Sequence, residues 1–191
     1  DTILYALGIG FGHDPLDRDQ LRFVLEDGLQ VVPSMAAVLG GPGSWWRDPR
    51  VGVDWPRVLH AQQDVEVFTR LEPAATVIAL NRVTALCDRG PERGAVAALE
   101  RTIRDAATGG LLARAKRIEI LRGDGGFSSR SGRSDAEPER LPVMTCTERK
   151  PDAAVELPSL PQAALIYRLS GDYNPLHADP RVAAQAGFPR P

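Results

Sequence analysis

Cysteine is nearly absent from this chain: Cys87 and Cys146 are the only two among 191 residues, and neither belongs to a CxxC pair or has a histidine neighbour. A disulfide scaffold, a zinc site and a dithiol redox centre are therefore not expected. Lysine is almost as scarce, since Lys116 and Lys150 stand among 23 basic residues that are otherwise all arginine, a bias that fits GC-rich coding. Nor is there an excess of charge, because 25 acidic residues offset the basic ones to a net charge of -2. No global positive field exists to hold a nucleic acid. No apolar run approaches the roughly 18 residues of a membrane span. The start, Asp1-Thr2-Ile3-Leu4-Tyr5, lacks the basic and apolar regions of a signal peptide. A soluble intracellular protein is expected.

With 43% hydrophobic and 25% charged residues the chain can build a core, while 18 Gly and 16 Pro require many turns. Leu16, Leu21, Phe23, Val24 and Leu25 predict a short helix over 15–27, with Asp14 or Asp17 as its cap. Ser34 is placed to cap a second helix that Gly40-Gly41 ends. From 58 to 125 the composition shifts to β-branched residues in runs divided by turn signals at Glu72-Pro73, 88–94 and Thr108-Gly109-Gly110. Strands are predicted near 58–68, 75–87, 94–106 and 111–121. Their short connections favour an antiparallel sheet, and helices followed by a run of strands give an α+β class. The Gly-, Ser-, Pro- and charge-rich stretch at 126–161 reads as a linker, with Arg130 and Arg133 solvated in it.

After that stretch the sequence echoes its own beginning. Tyr5-Ala6-Leu7-Gly8 is similar to Tyr167-Arg168-Leu169-Ser170, and Asp14-Pro15-Leu16-Asp17 to Asn174-Pro175-Leu176-His177. This predicts a divergent duplication, with residues 1–125 as one complete repeat and 162–191 as the opening of a second. Pro189 or Pro191 then corresponds to Pro33, so roughly ninety further residues are expected in the working protein.

The densest polar cluster lies in the second copy, at Ser170-Gly171-Asp172-Tyr173-Asn174-Pro175-Leu176-His177. It places a carboxylate, an amide and an imidazole within six positions, the ingredients of an acid/base pair. Gly171 permits a bend and Pro175 disfavours helix at Asn174, so an irregular loop can aim Asp172 and His177 into one pocket. Asp and Asn before Pro are equally common turn formers, and composition alone leaves the two readings level. Asp179-Pro180 is assigned to capping a helix over 180–186 that Gly187 ends. His13 and His60 lack polar company and are read as surface or core residues.

At these residues the chain resembles a known family. YRLSGDYNPLHADP, continued by AGFPRP, is similar to the hydratase 2 motif of (R)-specific enoyl-CoA hydratases, the MaoC-like dehydratases. LYALGIG, LRFVLED, VLHAQQDVEV, the CDRG segment and RGDGGF extend the resemblance to the hydratase part of type 2 peroxisomal multifunctional enzymes. The resemblance implies a double hot dog fold, in which each antiparallel sheet wraps round a helix and the second repeat carries the chemistry. It implies reversible hydration of trans-2-enoyl-CoA to (3R)-3-hydroxyacyl-CoA without a metal or redox cofactor. Asp172 and His177 would hold and activate the water, Asn174 would orient them, and Gly171 and Tyr173 would line the substrate site. Tyr167 is read as core packing. The resemblance also implies a homodimer whose small-molecule partner is the acyl-CoA, with no nucleic acid or membrane involved. The compartment would be the cytoplasm of a bacterium or the peroxisome of a eukaryote. A glycine amide that receives the thioester oxygen in the family would lie past Pro191, so the 191 residues alone are not expected to hydrate efficiently. The alternative is a non-catalytic acyl-CoA-binding or assembly subunit that needs a partner hot dog chain. A hot dog thioesterase ranks third.

Overall fold

The computed structural model describes residues 1–139, 148–156 and 159–191. Its framework is a four-stranded antiparallel sheet of β1 (Val58–Val67), β2 (Val77–Asp88), β3 (Ala95–Asp105) and β4 (Leu111–Leu121), in the order β1-β4-β3-β2. All four predicted strands are present within two residues of their expected ends. Side chains alternate between the faces of a strand. Ala95, Ala97, Leu99, Arg101 and Ile103 of β3 pair in register with Leu121, Glu119, Arg117, Ala115 and Ala113 of β4. Together they form one inward face.

That face is covered at its two ends by different elements. At one end, helix α1 (Thr2–Gly8) and a 3-10 turn at Pro33–Ala37 bury Tyr5, Ala6, Val32, Met35 and Ala36 against Ile103 and Ala113. At the other, Trp45, Trp46, Val53, Val58 and Phe127 pack on Ala95, Ala97, Leu99 and Leu121. The alanines make this possible, because short side chains let the covering elements approach the sheet backbone.

Three expectations are corrected. The helix foreseen over 15–27 is a single turn, α2 (Arg18–Leu21), which Asp17 caps by accepting from the amides of Asp19 and Gln20. Phe23 and Val24 turn inward against the core while Leu16 stays 86% exposed, so the apolar residues do not share one helical stripe. The Ser34 helix is likewise only the five-residue 3-10 turn, and Ser34 lies inside it, its hydroxyl accepting from the Tyr5 hydroxyl at 3.1 Å. The guanidinium of Arg101 takes the carbonyls of Ala37 and Leu39 at 3.0 and 3.1 Å, which satisfies the acceptors at the end of the turn from the sheet side.

Thirdly, residues 126–135 are folded onto the sheet edge and are not free linker. Asp88 gathers them: its carboxylate accepts from the amides of Gly90, Gly126 and Ser128 at 2.8, 2.7 and 2.6 Å, and its own amide donates to the Ser134 hydroxyl. Asp135 then exchanges two hydrogen bonds with Leu86, accepting from its amide and donating to its carbonyl. Gly125 is needed for this fit, since a Cβ there would stand 2.0 Å from the carbonyl oxygen of Gly90. A short helix, α3 (Ser128–Ser131), closes the segment. The Ser128 hydroxyl and amide, followed by the amides of Gly126 and Gly90, hold the Asp88 carboxyl well below the usual aspartate range.

From residue 159 the chain continues as α4 (Ala163–Tyr167), two 3-10 turns, and α5 (Pro180–Gln185). Cys146 lies outside the described residues, and Cys87 is a buried free thiol.

Two outcomes follow from this packing. Ile103→Ala, at a site with 0% exposure, is expected to lower unfolding free energy by about 2–5 kcal/mol in urea titration. Ile78→Ala, on the edge strand at 62% exposure, should change it by less than about 0.5 kcal/mol. The lowered pKa of Asp88 means the folded state favours its charged form. Its contribution is complete above the unfolded aspartate value of about 3.9 and is lost as pH falls from there towards the folded value. Urea midpoints at pH 7 and pH 3 should therefore fall further apart in the wild type than in Asp88→Asn.

Candidate active site

The motif segment docks on the N-terminal part through its first helix. α4 packs on α1, the Cβ direction of Gly8 meeting Ile166 and the backbone of Tyr167. The Tyr5 and Tyr167 rings lie 6.3 Å apart at a 52° tilt. These tyrosines occupy equivalent positions in the two sequence copies, so the repeat meets itself here, as like elements do across a two-fold relation. Burial, then Tyr5 and Asp172, push the Tyr167 hydroxyl up from its ordinary value. Tyr167 is half-buried against the core, which agrees with a packing role.

After α4 a 3-10 turn, Arg168–Ser170, ends at Gly171, whose φ of +113° is a conformation that only glycine adopts freely. This bend sets up the polar loop. The Asp172 carboxylate accepts from the Asn174 amide at 3.2 Å, and the Asn174 side-chain oxygen accepts from the Leu176 amide at 3.0 Å. Asp172 and Asn174 are thus brought together. Tyr173 is exposed, with the Arg168 guanidinium 5.3 Å from its ring centroid. Asp172 and His177 are both exposed, and no hydrogen bond joins them among the described residues. Asp179 caps α5 by accepting from the Arg181 amide at 2.9 Å, and the Arg181 side chain pairs with it and lowers its pKa to about 2. His13 and His60 are exposed, the latter bonded through its ring to the carbonyl of Gln62. Among the described residues no three His, Cys, Asp or Glu side chains gather as metal ligands, and no helix is long and apolar enough to cross a membrane.

The first copy repeats this turn atom for atom. Asp14 accepts from the Leu16 amide at 2.9 Å as Asn174 does from Leu176, and the amides of Asp17 and His177 both return to the carbonyl three residues back at 3.2 Å. The difference lies in the fourth residue. Asp17 is engaged as the cap of α2, whereas in the second copy capping falls to Asp179, two residues later, and the His177 ring has no hydrogen-bond partner among the described residues.

One feature of the inward face was not among the sequence candidates. Arg101 is 6% exposed on β3, between Leu99 and Ile103, and burial aided by the charge of Arg117 lowers its pKa to about 10. A charged residue at an inward position of an otherwise apolar alternation was the signal available.

Comparison with known proteins places these observations. The family model described as the MFE-2 hydratase 2 N-terminal domain matches residues 1–123, and the MaoC like domain matches residues 143–191. The chain is 40% identical over 196 residues to "Enoyl-CoA hydratase ChsH3" of Mycobacterium tuberculosis, with 100% of this chain and 65% of that protein covered. It is 37% identical over 210 residues to "Enoyl-CoA hydratase 2, peroxisomal" of Arabidopsis thaliana, with 100% and 64% covered. The chain therefore spans 64–65% of the length of these curated relatives. Among solved structures it is similar to a MaoC-like dehydratase from Phytophthora capsici, at TM-score 0.69 and 26% identity over 100% of this chain and 64% of that one. The antiparallel sheet with its few short helices is accordingly of the hot dog type, within the α+β class. On its sequence and its fold, the chain belongs to the MFE-2 hydratase 2 N-terminal domain family, followed by a segment of the MaoC-like domain.

Proposed function

We propose that the protein carrying this chain catalyses the reversible hydration of trans-2-enoyl-CoA to (3R)-3-hydroxyacyl-CoA. The observation that carries the reading is the unequal use of one repeated turn. In the first copy the fourth residue, Asp17, is consumed by helix capping, whereas in the second His177 has no hydrogen-bond partner among the described residues and Asp172 stands close by in sequence on a glycine bend. The names of the relatives, both enoyl-CoA hydratases, support the substrate class.

The thioester carbonyl withdraws electrons from the alkene and makes carbon 3 electrophilic, so a water needs only to be held, deprotonated and aimed. Asp172 and His177 perform this, Asp172 returns a proton to carbon 2, and Asn174 fixes the loop through its bond to the Leu176 amide. Gly171 and Tyr173 lie against the substrate. The thioester supplies its own activation, so no metal or redox cofactor takes part. An acid/base pair is tuned by burial, and in this chain both groups are exposed. The reading therefore requires cover from polypeptide of the kind that makes up the remaining third of the curated relatives. A homodimer in the bacterial cytoplasm, or in a peroxisome as the name of the Arabidopsis relative has it, completes the proposal.

The test is to mix the complete protein with a trans-2-enoyl-CoA and follow the absorbance of the conjugated thioester. Absorbance should fall, and Asp172→Ala or His177→Ala should each lower kcat by about 100- to 10,000-fold. Asp17→Ala should leave kcat unchanged while loosening α2. Constant absorbance with the complete protein, or full activity in Asp172→Ala, would overturn the assignment.

A further inference from the structure

Midway along the inward face, between its two covered ends, the sheet holds a cleft of about 120 Å³. Its walls include Trp45, Val83, Leu99 and Ala115, together with three arginines, Arg82, Arg101 and Arg117, and one carboxylate residue, Glu100. The charges do not balance. Arg117 is paired with Glu119 at 3.1 Å, and Glu119 is further occupied as the acceptor of the Trp46 indole N–H. Arg101 has no carboxylate partner among the described residues. Its Nε donates to the Asn81 side-chain oxygen at 2.9 Å and one terminal nitrogen serves the carbonyls of Ala37 and Leu39. The other terminal nitrogen, Nη2, has no acceptor among the described residues. The buried indole N–H of Trp45, a residue that also lines the cleft, likewise has none among the described residues.

Arg101 therefore brings to the cleft one positive charge without a carboxylate partner among the described residues, and its Nη2 is a donor still to be matched. A nearly buried arginine left unpaired is unfavourable, and the group that relieves it must be an anion that only accepts. A carboxylate fits best. Its two oxygens match the edge of a guanidinium, and the apolar walls suit the methylenes that would bring it in. The volume, about four times a water's share of liquid, suits a carboxylate with a few carbons behind it.

We propose that this cleft is a carboxylate-binding subsite, which takes the distal carboxylate of an acyl chain whose other end is the thioester. The naming of the thioester end rests on the hydratase reading, whereas the subsite itself does not. The substrate class is then an ω-carboxyacyl thioester in preference to a plain alkyl one.

The experiment is calorimetric titration of the chain with octanoate, with octan-1-ol as the uncharged equivalent, in the wild type, Arg101→Gln and Val83→Trp. Octanoate should bind saturably, octan-1-ol at least about tenfold more weakly, and both variants should weaken octanoate by about tenfold or more, the usual effect of losing a charge-assisted hydrogen bond or the space for it. Arg101 also ties down the Pro33–Ala37 turn, so circular dichroism must show that Arg101→Gln is folded. If it is not, Val83→Trp decides, because Val83 is 43% exposed on the edge strand and touches none of the Arg101 hydrogen bonds. Absence of octanoate binding, equal affinity for octan-1-ol, or undiminished octanoate affinity in Val83→Trp would overturn the subsite. No thioester chemistry enters the titration, so its failure leaves the hydratase reading standing, and a failed hydration assay leaves the subsite standing.

Discussion

The inward row of β3 is the constraint on which the remaining structure depends. Ala95, Ala97, Leu99, Arg101 and Ile103 run along the middle of the sheet, and what can sit on the face is set by their size. The small residues at 95 and 97 admit close contact from the Trp45-Trp46 loop at one end, and Ala113 of β4 admits it from α1 and the Pro33–Ala37 turn at the other. Arg101 interrupts the row and changes its character. It ties the turn to the sheet through two carbonyls and keeps a polar gap between the two apolar clusters. The helix expected after Ser34 is replaced by a pinned 3-10 turn.

A second organising device is the repeated proline turn. The same carboxylate- or amide-to-amide bond forms at Asp14 and Asn174, and the same carbonyl receives the fourth amide. Identical local geometry serves two purposes because of where the helix-capping residue falls. In the first copy the cap and the fourth turn position coincide at Asp17. In the second they are separated, and His177 is released from structural duty. Contact between Tyr5 and Tyr167 then holds the two copies together through their first helices.

Much of this was legible along the chain. The four strands, the capping of α5 by Asp179 and the glycine bend at 171 follow from β-branched runs, Asp-Pro and the freedom of glycine, all of which act within a few residues. The short helices were less legible. Apolar content suggested a short helix over 15–27 and another after Ser34, but whether such residues form one stripe depends on what they pack against, and that lies far away in sequence. Residues 126–135 misled for a related reason. A Gly- and Ser-rich segment looks like linker until an edge-strand acceptor such as Asp88 is supplied from 38 and 40 residues away to collect its amides.

The sequence by itself determined the class of chain, its strands, its internal repeat and the residues proposed for acid/base work, because alternation, turn chemistry and motif spacing are local properties. The tertiary structure decided which of two equivalent turn positions is taken up as a helix cap, and that Arg101 on β3 lines a cleft with no carboxylate partner among the described residues. Both depend on partners distant in sequence, since the environment of a charge is set by what folding brings to it.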